Sequence, residues 1–304
     1  MRILIAGSGG VGGYFGSLLA KANKDVTFLA REDHLKAIQK KGLMIKSILG
    51  DFAVKVKAYE TLPKMVKPFD LILVCVKAHH TKALLTPLRK GVGENTLIIS
   101  LQNGLDRQKP LLEAFGKEKV AAGLTVLGAY VEEPGIIRHL ACGEIVVGEL
   151  DGQESDRLKK MVDEFKQAKI NIELTQEILH RQWQKMIWNV GFNGPTALLD
   201  VSVGEILKRE EQCRLIYSLM KEAVEVGKAM GEKFSDDFPQ ETIDYSKKEL
   251  SHIVTSMVYD RRRNRPLEWQ IFNGFISKAG DQFNIPTPAN DLIKTLLEGL
   301  SSHG

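Results

Sequence analysis

Ile3-Leu4-Ile5-Ala6-Gly7-Ser8-Gly9-Gly10-Val11-Gly12 stands at the head of this 304-residue chain, and Tyr14 to Lys24 follows with helical character. An apolar run, a G-x-G-x-x-G and a helical segment in that order make a strand, a turn and a helix. Such a turn brings bare backbone close to a pyrophosphate at a helix N-terminus, where unpaired N–H groups attract anionic oxygens. Gly7, Ser8, Gly9, Gly10, Val11 and Gly12 are therefore expected to hold a dinucleotide. Glycines also serve tight turns in chains that bind nothing. The flanking strand and helix favour the ligand.

The second strand, Asp25 to Ala30, selects the dinucleotide. An acid at its tip would accept hydrogen bonds from ribose hydroxyls. Here the tip is Ala30-Arg31, with Glu32 and Asp33 one step later. A guanidinium holds a 2′-phosphate by paired charge-assisted hydrogen bonds, whereas a carboxylate repels it. Arg31 thus points to NADP(H) rather than NAD(H).

Composition narrows the remaining choices. Hydrophobic residues make up 43% and charged residues 26%, which leaves ample apolar material for buried cores. A chain of 304 residues exceeds the usual single-core size, so two domains are expected. No apolar run is long enough to cross a bilayer, and a strand begins at once without a signal peptide's cleavage region. A cytoplasmic protein with no membrane partner is the expectation. The net charge of +4 suits small anions at least as well as nucleic acid. The one basic cluster, Arg261-Arg262-Arg263-Asn264-Arg265, reads as a solvated helix end before Pro266, so no nucleic-acid partner is expected. Cys75, Cys142 and Cys213 lack metal spacing, and Cys75 reads as a small buried hydrophobe. The adjacent pair His79-His80 cannot put two imidazoles on one helix face. No metal site is expected.

The first half of the chain alternates strands and helices. After Arg31 come a helix over Asp33 to Lys41, an extended Leu43 to Ala58, a strand over Leu71 to Val76, a helix over Thr81 to Lys90 and a strand over Leu97 to Leu101. Fully apolar strands between helices imply a parallel sheet covered on both faces. Extended Ala121 to Tyr130 and Glu144 to Gly148, a helix over Glu154 to Ala168 and a strand over Asn171 to Leu174 complete this domain. From Glu177 the pattern is helical, with Leu215, Ile216, Leu219, Met220, Ala223 and Val226 at helix spacing. The expected division is residues 1–175 and 176–304.

Four groups of residues carry the chemistry. Lys77 follows one strand and Gln102-Asn103-Gly104 another, at the carboxyl ends where ligands of open parallel sheets bind. Asn-Gly is also ordinary turn chemistry. Lys185, Asn189 and Asn193 fall four apart, on one helical stripe interleaved with Met186, Ile187, Trp188, Val190 and Phe192. A lone lysine would belong to a solvated face; this stripe could line a cavity. Ser256 to Asp260 is followed by Glu268, with Pro266 suited to open a final helix.

In this order, these pieces resemble the ketopantoate reductase (2-dehydropantoate 2-reductase) family, from the first strand to Pro286-Thr287-Pro288. The resemblance implies an α/β N-terminal Rossmann-type doubly wound sheet and an all-α C-terminal domain like that of the 6-phosphogluconate dehydrogenases. It implies NADPH-dependent reduction of a branched 2-keto acid to its 2-hydroxy acid, a step toward pantothenate and coenzyme A. Cofactor binding would then fall to Gly7 through Gly12, Arg31, Lys77, Asn103 and Glu268, and substrate binding to Asn103, Lys185, Asn189, Asn193 and Ser256. Lys185 is the candidate proton donor to the nascent alkoxide, and Glu268 would keep its ammonium charged. Where many members carry polar residues this chain has Val203, Ile253 and Leu267, which removes substrate contacts and leaves other 2-keto acids, or opine-type and β-hydroxyacid dehydrogenase chemistry, open. A non-catalytic NADP(H) sensor would need neither Lys185 nor Glu268. The helical domain could form a homodimer.

Overall fold

A computed structural model describes residues 1–302, which gather into two compact units, one of Met1–Leu179 and one beginning at His180. The expected second domain ends with His303 and Gly304, which lie outside the described residues.

In the first unit the chain runs β1 (Arg2–Ala6), α1 (Gly10–Lys21), β2 (Asp25–Leu29), α2 (Glu32–Lys41), β3 (Leu43–Ser47), β4 (Phe52–Val54), β5 (Lys57–Tyr59), β6 (Leu71–Val74) and α3 (Thr81–Arg89). It continues β7 (Leu97–Ser100), α4 (Lys109–Phe115), β8 (Val120–Glu133), β9 (Ile136–Gly148), α5 (Asp156–Gln167) and β10 (Asn171–Leu174). The strand order is β4-β3-β9-β8-β7-β6-β1-β2-β5, with β10 beside β9. Alternation along β1 explains the double winding. Ile3 and Ile5 join Phe15 of α1 and Phe165 of α5 on one face, while Leu4 and Ala6 join Leu88 of α3 and Leu111 of α4 on the other. Each such buried Ile, Leu or Phe side chain contributes roughly 1.5–3 kcal/mol.

The parallel expectation holds from β5 through β8, and beyond it the sheet is mixed, with β9 parallel to β3 and β10. β8 and β9 form an antiparallel hairpin around Pro134-Gly135, and β3 and β4 are antiparallel as well. The extended segments read at Ala121 to Tyr130 and Glu144 to Gly148 are thus parts of one long ribbon. α1 also begins at Gly10, four residues before Tyr14. Glycine is a poor helix former, but tight packing outweighs that preference here: a Cβ on Gly10 would collide with Ala129 of β8 and one on Gly13 with Ile137 of β9.

Among the described residues the second unit holds helices only. They are α6 (Ile178–Leu199, begun two residues earlier), α7 (Val203–Ile206), α8 (Glu210–Ala229), α9 (Phe238–Glu249), α10 (Ser256–Arg261), α11 (Asn273–Phe283) and α12 (Pro288–Ser302). Gly191 and Gly194 let neighbours close on α6, since a Cβ there would meet Met220 of α8 or Ile293 of α12. Pro266 does not open the final helix. Residues 265–268 stay irregular, a 3-10 turn spans Trp269–Ile271, and two helices follow. The basic cluster is more than a solvated helix end. Arg261 donates to the carbonyls of Ala197 and Leu198, and Arg262 pairs with Asp200, so two arginines secure the C-terminus of α6. Among the described residues no helix is long and apolar enough to cross a membrane.

Candidate active site

The glycine turn is built at the carboxyl edge of the first sheet. Ala6 pairs with Leu29 on one side and Val74 on the other, so the exits of β2, β1 and β6 lie side by side. Gly7 takes φ 112°, a conformation open to glycine, and a Cβ there would sit 2.7 Å from the Val76 nitrogen. A Cβ on Gly12 would run into the Gly7 carbonyl. Gly9 caps α1 without a side chain, and the first intrahelical bond runs from Gly13 N–H to Gly9 O at 2.7 Å. The amides of Gly10, Val11 and Gly12 precede that bond and have no partner within the helix. Ser8 is buried, and its carbonyl is held by His34 Nε2 at 2.9 Å. Gly135 N–H donates to His34 Nδ1 at 3.0 Å, so the neutral Nε2–H tautomer ties the turn to the β8–β9 hairpin. Sequence reasoning missed His34, which has the polar spacing of any exposed α2 residue.

Arg31 is exposed at the tip of β2, and no salt bridge holds it among the described residues. Asp33, by contrast, pairs with Lys36. Glu32 adopts φ 51°, which turns the chain sharply after Arg31. Lys77 is exposed and precedes a 3-10 turn over Ala78–His80.

Gln102 and Arg107 lock the neighbouring loops. Gln102 Nε2 donates to Val76 O and Thr81 Oγ1, each at 2.8 Å, while Oε1 accepts from Ser100 Oγ at 3.0 Å. Arg107 is buried and donates to the carbonyls of Gln102 and Gly123. No ion pair neutralises its charge among the described residues, Nε has no hydrogen-bond partner, and burial pushes its pKa below the usual arginine range. Half-buried Asn103 follows directly on this braced position. Gln102 is therefore a fastening of the fold, and Arg107 is a buried brace behind Asn103 that its plain charged context in the sequence did not reveal. Cys75 is no nucleophile, since burial pushes its thiol up to about 12.

In the second unit α6 carries Lys185, Asn189 and Asn193 on one stripe. Lys185 is half-buried, Asn189 is buried, and Asn193 is 1% exposed with no hydrogen-bond partner for Nδ2. A buried amide donor without a partner costs about 1–3 kcal/mol, so this atom suits a ligand oxygen. Thr196 Oγ1 and Thr255 Oγ1 lie 2.9 Å apart and bring the start of α10 against α6. Ser256, exposed in the first turn of α10, comes with it. Half-buried Glu268 stands at the entry of the 3-10 turn rather than in the first turn of a helix. Proline lacks an N–H, and the irregular stretch persists through Glu268 to a turn that Trp269 packs onto Gly274.

Comparison with known families settles the kinship. The model of ketopantoate reductase PanE/ApbA matches residues 3–152, and that of its C-terminal part matches 177–301. The chain belongs to the ketopantoate reductase PanE/ApbA family. It is 34% identical over 282 residues to a 2-dehydropantoate 2-reductase of Nostoc sp., covering 90% of this chain and 86% of the relative. It is 30% identical to one from Pyrococcus horikoshii, covering 100% and 99%. The crystal structure of 2-dehydropantoate 2-reductase from Geobacter metallireducens superimposes with a TM-score of 0.90 at 34% identity, covering 99% of this chain and 100% of that one. A Rossmann-type first unit and an all-helical second unit of the 6-phosphogluconate dehydrogenase kind are the architecture of this family of oxidoreductases, whose fold takes a nicotinamide dinucleotide.

Proposed function

We propose that the protein reduces 2-dehydropantoate to pantoate with NADPH, in the cytoplasm, as a step toward pantothenate and coenzyme A. The fit of the first unit to a dinucleotide rests on Gly7 and Gly12, where side chains have no room, and on the unspent amides of Gly10 to Gly12. Arg31, without a salt bridge, suits the 2′-phosphate, and Lys77, Asn103 and Glu268 are the remaining cofactor contacts in this reading. When bound, the dinucleotide supplies the hydride that reduces the carbonyl carbon. Lys185 donates a proton to the carbonyl oxygen as it gains negative charge, which is general-acid and electrostatic catalysis in one group. Glu268 keeps that ammonium protonated. Asn189, Asn193 and Ser256 take the carboxylate and hydroxyl oxygens of the substrate.

The single observation that carries this reading is the buried, unpartnered Asn193 Nδ2 on the stripe that also bears Lys185. A steady-state assay with ketopantoate and NADPH against NADH tests it. Turnover with NADPH and a clear preference over NADH support the reading; absence of ketopantoate turnover overturns the substrate.

A second reading, a related 2-keto acid without the hydroxyl, is favoured by Val203 and Ile253. Val203 N–H donates to Ile253 O at 2.9 Å, so two apolar residues stand side by side where many members of the family are polar. A panel of 2-keto acids, with and without amines, separates the two readings. Faster turnover of an aliphatic 2-keto acid than of ketopantoate decides for the second.

A further inference from the structure

His79-His80 excludes itself as a metal pair, and nothing in the reaction above uses it. Its location nonetheless has a chemical meaning. β2, β1 and β6 are neighbours in register, so the glycine turn after Ala6 is flanked by Arg31, two residues past Leu29, and by the Lys77–His80 turn, beginning three residues past Val74. His80 is exposed, and its ring lies 4.2 Å from that of His79, centroid to centroid. It stands at the N-cap of α3 without using its side chain to cap, and no hydrogen bond engages its imidazole among the described residues.

We propose that His80 joins Arg31 in seating the 2′-phosphate of NADP(H) and takes up a proton as the phosphate arrives. The inference rests on the NADP(H) reading above and adds a residue and a proton to it.

The charges around His80 set the sign. Its own turn contributes Lys77 and His79, the start of α3 contributes Lys82, and β2 contributes Arg31. The acids beside Arg31 are Glu32 and Asp33, of which Asp33 is engaged with Lys36. Partial burial, then His79 and Arg31, hold the His80 imidazole below the ordinary histidine range, which favours its neutral form in the free protein. A phosphate dianion reverses that balance, because an adjacent opposite charge favours the imidazolium. Binding and protonation are then linked: affinity for NADPH, though not for NADH, draws on a proton near neutrality. Arg31 supplies a fixed charge and His80 a conditional one.

Isothermal calorimetry of the whole protein at pH 7, in buffers of different ionisation enthalpy, counts the protons exchanged on binding. Wild type should take up a measurable fraction of a proton more with NADPH than with NADH, against a release of only about 0.1 from a phosphate whose second pKa is near 6. His80→Asn should abolish the difference and weaken NADPH roughly three- to tenfold with NADH unchanged. His79→Asn should keep most of it. His80→Lys, charged throughout, should bind NADPH tightly with no uptake. If wild type prefers NADPH but His80→Asn retains the full proton difference, the role of His80 is overturned while the cofactor reading stands. If wild type does not distinguish NADPH from NADH, the cofactor reading fails, and this inference with it.

Discussion

Gln102 in the first unit and Asn193 in the second are both carboxamides shut away from water, at 5% and 1% exposure. Gln102 spends both ends of its amide on Val76, Thr81 and Ser100. Asn193 leaves Nδ2 without a partner. Burying an amide is costly unless its hydrogen bonds are replaced, so the first group is complete as folded and the second keeps one open donor, the one that the proposed reading gives to the substrate. The loops at the carboxyl edge of the sheet are accordingly fastened by their own side chains, whereas Asn193 on α6 keeps a donor unspent.

The sharpest test of that contrast acts on the stripe. Lys185→Ala should lower turnover by about 10²–10⁴-fold while leaving dinucleotide affinity unchanged, measured by steady-state rates and fluorescence titration. A near-normal rate would remove the chemistry from α6. Next in size, Gln102→Leu takes the side-chain donor from the Val76 carbonyl and the acceptor from Ser100 Oγ, and should lower unfolding free energy by about 3 kcal/mol in denaturant titrations. Unchanged stability would mean that Gln102 is not the fastening described. Asn193→Leu should do the reverse, raising KM for the keto acid about tenfold or more without lowering Tm, because it removes a donor that the folded protein leaves unpaired. A lower Tm with unchanged KM would make the two amides alike. The smallest effect is expected at the surface, where Glu205 and Ser202 cap α7. Hydrogen bonds from the Ser202 backbone N–H and hydroxyl hold the Glu205 carboxyl below the usual range. That stabilisation is present above the carboxyl's unfolded pKa and is lost as pH falls through the folded value. Glu205→Gln should therefore lower Tm slightly at neutral pH and not at all in acid, followed by thermal melts across pH.

Much of this arrangement is legible in the residues. The glycine turn, the apolar strands beside it and the four-residue spacing of Lys185, Asn189 and Asn193 are local patterns, and local patterns survive translation into β1, α1 and α6. The long hairpin is not local in that sense. Its register shifts between Val126 and Leu127 and between Gly128 and Ala129, and Cys142-Gly143 inside β9 have φ 58° and 136°; both break the alternation that marks a strand. Pro134-Gly135 was the available sign. Arg107 and Arg261 escaped for a different reason. A charged residue near a turn or helix end has the same appearance whether it is solvated or turned inward onto carbonyls, and tertiary packing decides. Glu268 was misplaced because proline permits a helix start without requiring one.

The inward guanidinium of Arg107 has one further consequence. Arg31, Lys77 and His80 project into solvent, where dissolved ions within about 8–10 Å at physiological strength mute their pull on an anion. Arg107 is sealed from those ions by the protein around it. In brine the surface attraction fades, and the field of the interior charge persists.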